Sequence, residues 1–98
     1  MGLNIRFDAK AVSDLADVRN YLVERSPQGA ERVRLHILGA IDRLTEFPFL
    51  GRPTDAPDVR VLVLTRYPYL IFYAVAGPDV VILHIRHASR SPFEPPEF

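Results

Sequence analysis

The 98-residue chain contains no cysteine. Disulfide scaffolds, thiol nucleophiles and thiolate zinc sites are thereby excluded. It also lacks net charge. Twelve basic residues balance twelve acidic ones, so no global field draws the chain to nucleic acid or to a membrane surface. Lysine is nearly absent: Lys10 stands alone against eleven arginines, which favours planar, bidentate groups over flexible point charges. No apolar run nears the ~20 residues of a membrane helix, and residues 1–10 have no basic-then-apolar signal layout. A soluble, cytoplasmic protein is expected. Phosphate loops, dinucleotide glycine clusters and paired-His zinc helices are missing as well. Ser13, Ser26, Ser89 and Ser91 are the only serines; none sits on a strand-to-helix elbow, and capping or turn roles explain them.

What is present suffices for one hydrophobic core. The residues are 48% hydrophobic and 24% charged, a composition that folds without staples. The length fits a single domain over residues 1–98, with 91–98 as a Pro-rich extended tail. Leu3, Ile5 and Phe7 alternate with polar residues and predict a short strand. From Ala9 the period changes, and Ala11, Leu15, Val18 and Leu22 form one apolar helical stripe running to about residue 24, with Asp14, Asp17 and Arg19 off it. Ser26-Pro27 is a helix start, because Ser caps free N–H groups and Pro fits the first turn. Ala30, Val33, Ile37, Ala40 and Leu44 mark the second helix, which ends near Phe47-Pro48. So short a link predicts an antiparallel helical hairpin.

Residues 49–58 carry Gly51, Pro53 and Pro57 and read as an irregular loop. Three β-branched and aromatic runs follow, at 59–64, 70–75 and 80–86, with Gly77-Pro78-Asp79 as a tight turn between the last two. The expected architecture is α+β, in the order β-α-α-β-β-β: an N-terminal strand of unassigned place, then a helical hairpin packed on an antiparallel sheet. Strand alternation puts Val81, Leu83 and Ile85 on the helix-facing side and His84 with Val80, Ile82 and Arg86 on the other. The expected core comprises Leu15, Leu22, Val33, Ile37, Leu44, Val61, Phe72, Val81, Leu83 and Ile85.

Candidate chemistry is sparse. His84 and His87, three apart on a strand, point to opposite faces and cannot chelate one ion, so no metal and no cofactor is expected. Arg60, Arg66, Arg86 and Arg90 oppose only Asp79 between residues 60 and 90, a local +3 in a neutral protein. Such a cluster is either a solvated face with ordinary ion pairs or the footprint of an anionic partner. Arg86, ending a very apolar strand, calls for a carboxylate or other anion. The aromatics Phe47, Phe49, Tyr67, Tyr69, Phe72, Tyr73, Phe93 and Phe98 fill a thin core or line a partner groove.

One combination is distinctive: Tyr21-Leu22, Ser26-Pro27 with Ala30, Phe47-Pro48, Leu50-Gly51-Arg52-Pro53, Val59-Arg60, Tyr67-Pro68-Tyr69-Leu70-Ile71-Phe72-Tyr73, and Ile82-Leu83-His84-Ile85-Arg86-His87 followed by Arg90. Over almost the whole chain it resembles the RelE/ParE superfamily of type II toxins. That resemblance implies a small bacterial toxin held inactive by a cognate antitoxin whose C-terminal segment wraps it. RelE-like members cleave mRNA on the ribosome, whereas ParE-like members act on DNA gyrase without being hydrolases.

Metal-free RNA cleavage needs a base, cations for the phosphate and an acid for the leaving oxygen, and Arg supplies only the second. RelE-like nucleases end with a Tyr or His-Tyr pair just past the last strand. Here the stretch reads His87-Ala88-Ser89-Arg90, no Tyr follows Tyr73, and no Lys follows Lys10. A nuclease would have to use Glu46, Arg60, Arg86 and His87. The Ser26-Pro27 start and the Leu50-Gly51-Arg52-Pro53 turn look more like the ParE branch, which implies gyrase as target, with Arg60, His84, Arg86 and Arg90 as target-binding residues. The alternatives are a ribosome-dependent mRNA nuclease and a non-toxic or differently targeted binding module.

Overall fold

The computed structural model describes residues 2–88; the 91–98 tail and Arg90 lie outside them. The alternating N-terminal residues form β1 (Asn4–Phe7), followed by α1 (Ala9–Val23) and α2 (Pro27–Arg43). Ser26 caps α2 with extended backbone, its hydroxyl accepting the Gly29 N–H at 3.1 Å, and Pro27 follows in the first turn, as the local sequence requires. The remaining elements are β2 (Arg52–Pro53), β3 (Arg60–Val63), β4 (Tyr69–Ala76) and β5 (Asp79–His87). No helix among the described residues is long and apolar enough to cross a membrane.

The five strands form one sheet in the order β1-β5-β4-β3-β2. The three predicted sheet strands make the antiparallel meander. Two additions come from tertiary pairing. β1 joins the far edge parallel to β5, with Ile5 opposite Val80, and the expected irregular loop contributes β2, which pairs with Val61 and Arg60 of β3. Ala11, Val18, Val33, Ile37, Ile41 and Leu44 from the hairpin pack on Tyr69, Ile71, Tyr73, Val80, Ile82 and Ile85. Each buried Ile or Leu side chain is worth ~1.5–3 kcal/mol in transfer terms.

The expected facing of β5 is corrected by a bulge. Ile82 lies opposite Tyr73, yet His84 lies opposite Phe72. Leu83 is the extra residue. One inserted residue shifts the two-residue alternation, so side chains before and after it exchange faces. Val80 and Ile82 therefore join Ile85 in the core, whereas Val81 and Leu83 are only half-buried. His84 and Arg86 keep the helix-free face but leave Val80 and Ile82. Phe72 is buried on that same face and outside the helix-facing cluster. Leu15 and Leu22 are half-buried flankers, and Asp14, expected off the buried stripe, lies 5% exposed in its middle, between Ala11 and Val18 at helical spacing.

Tyr73, fully buried, anchors the connection from α2 to the sheet. Its hydroxyl donates to the Pro48 carbonyl at 2.8 Å and accepts the Gly51 N–H at 2.8 Å. A buried hydroxyl needs such partners, and so do the loop's own backbone groups. Gly51 is required by close approach: a β-carbon there would sit 2.7 Å from the Tyr73 ring and hydroxyl and 2.8 Å from the Val61 carbonyl. Arg60 completes the clasp, donating to the Gly51 carbonyl at 2.6 Å with its guanidinium 4.8 Å from the Phe49 ring centre. The Pro48-to-Pro53 motif is thus a packing device. Burial raises the Tyr73 phenol above its ordinary value of 10.0, against the opposing pull of the Gly51 N–H and the Arg60 charge.

Ile37→Ala and Ile82→Ala should each cost ~2–5 kcal/mol in urea unfolding, and Leu83→Ala under about half of that, because its side chain leaves a bulge rather than the core. An equal loss at all three positions would contradict the facing.

Tyr73→Phe should cost ~1–3 kcal/mol at neutral pH, since it strands the Pro48 carbonyl and the Gly51 N–H. Folding favours the neutral phenol. Its contribution is therefore complete below pH 10, the unfolded value, and is lost as pH rises through the higher folded value. Denaturation curves should show the wild type losing stability above pH 10 more steeply than Tyr73→Phe. Gly51→Ala should unfold at least as readily as Tyr73→Phe.

Candidate functional site

The pairing register assigns each candidate side chain to a face. Tyr69, Ile71 and Tyr73 of β4 point to the helices, and Leu70 and Phe72 point away. Arg60 lies opposite Tyr73, whereas Arg86 lies opposite Leu70. The two arginines therefore occupy opposite faces of the sheet. Arg60 is spent on the loop clasp, and Arg66, in the turn after β3, lies 5.7 Å from the Tyr67 ring centre. The local +3 is not one surface.

The acid and base candidates are separated as well. Glu46 follows α2, where the Thr45 carbonyl accepts the Leu3 N–H at 2.8 Å and the Pro78 carbonyl accepts the Asn4 N–H at 2.8 Å. That contact places the end of α2 beside the start of β1 and the turn that opens β5. His87 ends β5, eight residues or about 26 Å of strand away, with its ring edge-on to Tyr69 at 5.2 Å on the helix-facing side. Glu46 and His87 sit at opposite ends of the sheet.

His84, Phe72 and Arg86 do come together. The His84 ring stacks on Phe72, with centroids 5.8 Å apart and an interplanar angle of 20°. The Arg86 guanidinium lies 5.7 Å from the same ring, within cation–π range. A fourth residue joins them from α1. Asp14 Oδ2 accepts the Ile85 N–H at 2.9 Å and lies 2.5 Å from His84 Nδ1, and its Oδ1 meets Lys10 Nζ at 3.0 Å. β1 stops pairing at Ile82, so this carboxylate takes the position of the next acceptor along that strand edge. The sequence reading sets Asp14 off the apolar stripe and gives it no role, although its spacing from Ala11 and Val18 is the available signal. Among the described residues no group of three His, Cys, Asp or Glu side chains is arranged to hold a metal ion.

A second feature is a groove of about 470 Å³ between α2 and β3, lined by Leu35, His36 and Arg43 on the helix, by Leu62 and Val63 on the strand, and by Leu50. Leu35, Leu50 and Val63 are exposed. β2 covers only Arg60 and Val61 of its neighbour, and Leu62 and Val63 continue past it.

The comparisons with known proteins agree with this architecture. Residues 5–92 match the family described as the ParE toxin of the type II toxin-antitoxin system parDE. The chain is 42% identical over 81 residues to Toxin RelE2 of Caulobacter vibrioides, covering 83% of this chain and 90% of that one. In structure it is similar to the chromosomal ParDE system from P. aeruginosa, with a TM-score of 0.78 and 28% identity over 89% of this chain and 97% of that one. The RelBE2 toxin-antitoxin complex of Mycobacterium tuberculosis shares the fold at a TM-score of 0.65 and 20% identity, covering 89% of this chain and 99% of that one. RelE and ParE names both occur among these proteins. On the family match, the sequence identity and the shared fold, the chain belongs to the RelE/ParE superfamily and is a toxin of a type II toxin-antitoxin system.

Proposed function

We propose that this toxin acts by binding rather than by hydrolysis, as a ParE-like inhibitor of DNA gyrase, and that a cognate antitoxin neutralises it. The observation that carries the reading is the dispersal of Glu46, Arg60, Arg86 and His87 over two faces and two ends of the sheet. Metal-free cleavage must bring base, cation and acid around one phosphate, and these four cannot surround one. The match to the ParE toxin family supports the same target.

The target-contacting residues of this reading are His84 and Arg86 on the helix-free face, joined by Arg90 just beyond the described residues. Arg60 faces the other way and is assigned to the loop. The antitoxin reading draws support from the solved relatives, which are toxin-antitoxin systems. Exposed Leu35, Leu50 and Val63 with the Arg43 rim suit a peptide that alternates apolar and acidic residues.

The purified toxin should inhibit gyrase supercoiling and leave ribosome-bound mRNA intact. Arg86→Ala should raise the concentration needed by about tenfold, the loss of one charge-assisted contact, and coexpression with the antitoxin should relieve growth arrest. Codon-position cuts in mRNA that disappear in Glu46→Ala or His87→Ala, with supercoiling untouched, would assign the protein to the nuclease branch suggested by relatives named RelE.

A further inference from the structure

Four of the five glycines have a reason in the chain around them. A β-carbon would lie 3.0 Å from the Thr45 carbonyl at Gly2, 3.1 Å from Ser26 Oγ at Gly29 and 2.7 Å from the Tyr73 ring at Gly51, while Gly77 has a φ of 59°. Gly39 has neither reason. It lies inside α2, and a β-carbon built on it would meet nothing within 4 Å. A glycine in an exposed helix interior lowers the folded-to-unfolded ratio about two- to fivefold relative to alanine, so the fold alone gains nothing from it. Its position points to another use. His36, Gly39, Ala40 and Arg43 share one face of α2, and all four line the groove of about 470 Å³ against β3.

The groove fits one kind of occupant. Among the described residues that line it, His36 and Arg43 can carry positive charge and none is acidic, while Leu35, Leu50 and Leu62 make its walls apolar. The strand beside it has hydrogen bonds to give. The Leu64 N–H goes to the Tyr69 carbonyl at 2.9 Å, inside the sheet, so alternation turns the N–H and C=O of Val63 to the opposite edge. There β2 begins only at Arg52, opposite Val61, and the Leu50 N–H is used on the Phe47 carbonyl at 3.1 Å. An extended segment with apolar and acidic side chains meets all of these features. We propose that Gly39 is a specificity-determining position for the antitoxin: the gap it leaves between His36 and Arg43 receives a bulky apolar side chain of an extended segment laid along Val63, with a carboxylate of that segment on Arg43. This inference rests on the reading of the groove as the antitoxin's. It adds the residue that decides which side chains fit there.

Stability and binding should move in opposite directions. Because the space at Gly39 is open, Gly39→Ala and Gly39→Leu should both remain folded by circular dichroism, and Gly39→Ala should raise the folded-to-unfolded ratio about two- to fivefold in urea unfolding. Without antitoxin, growth arrest by either variant should match the wild type. Titration calorimetry with the purified full-length antitoxin should show binding weaker by about fivefold in Gly39→Ala and by about a hundredfold in Gly39→Leu, the scale of overfilling a packed site. A more stable toxin that binds its inhibitor less well is not expected of a glycine that serves the fold alone. Arg43→Glu tests the groove itself and should weaken binding by about tenfold or more. If Arg43→Glu weakens the complex and Gly39→Leu leaves it unchanged, the groove reading stands and the role of Gly39 is overturned. If neither variant changes the affinity, the groove reading falls and the inference with it. Should Gly39→Leu not fold, Gly39→Ala decides: affinity equal to the wild type's would overturn the proposal.

Discussion

β5 is nine residues long and its edge partner β1 is four. That mismatch leaves backbone groups of β5 past Ile82 without a strand on one side, and unpaired backbone groups at a covered edge are costly. α1 starts where β1 stops, and its second turn delivers Asp14 to the gap, with an oxygen on the Ile85 N–H at 2.9 Å. A charge is buried there because the sheet needs an acceptor and the helix has no backbone acceptor to offer sideways. The bulge at Leu83 falls in the same stretch, and by exchanging the faces of β5 it leaves His84 and Arg86 together beside Phe72. The composition of the helix-free face follows from a difference in strand length.

The other end of the sheet is organised by the Tyr73 hydroxyl. One phenolic group takes both a donor and an acceptor from the loop after α2, which holds the 48–51 segment against β4 and lets Arg52 and Pro53 pair with β3. Arg60 is drawn into this arrangement by the Gly51 carbonyl. An arginine that looks like a phosphate ligand when read beside Arg86 is, in three dimensions, a cross-brace on the opposite face. Its charge also opposes the effect of burial on the Tyr73 phenol, which ties the brace to the anchor electrostatically as well as by contact.

These two devices divide the surface. The helix-facing side is closed by the hairpin and the clasped loop, and along α2 it leaves a groove with exposed apolar side chains and a cationic rim. Beyond the sheet, the helix-free face carries an aromatic ring flanked by a histidine and an arginine. Family membership is secure from the sequence match.

The sequence alone determined the helical hairpin, the meander and the superfamily, because each is written in local terms: apolar spacing of three and four, a Ser-Pro helix start, and β-branched runs broken by turn residues. It determined the faces of β5 after Leu83, those of His84, Ile85 and Arg86, but not those of Val80, Val81 and Ile82 before it, because alternation assumes that no residue is inserted. A bulge has no local signature in Leu83, since an extra residue is defined by what lies opposite it. The partners of Tyr73 are 22 and 25 residues away, and the two sheet partners of Asp14 are 70 and 71 away, beyond the reach of any periodicity. Tertiary structure alone decided that Arg60 and Arg86 face apart, that Glu46 and His87 sit at opposite ends, and that an aspartate read as solvated is buried. In each case the deciding quantity is strand register, and register is set by pairing across the sheet rather than by the order of residues along it.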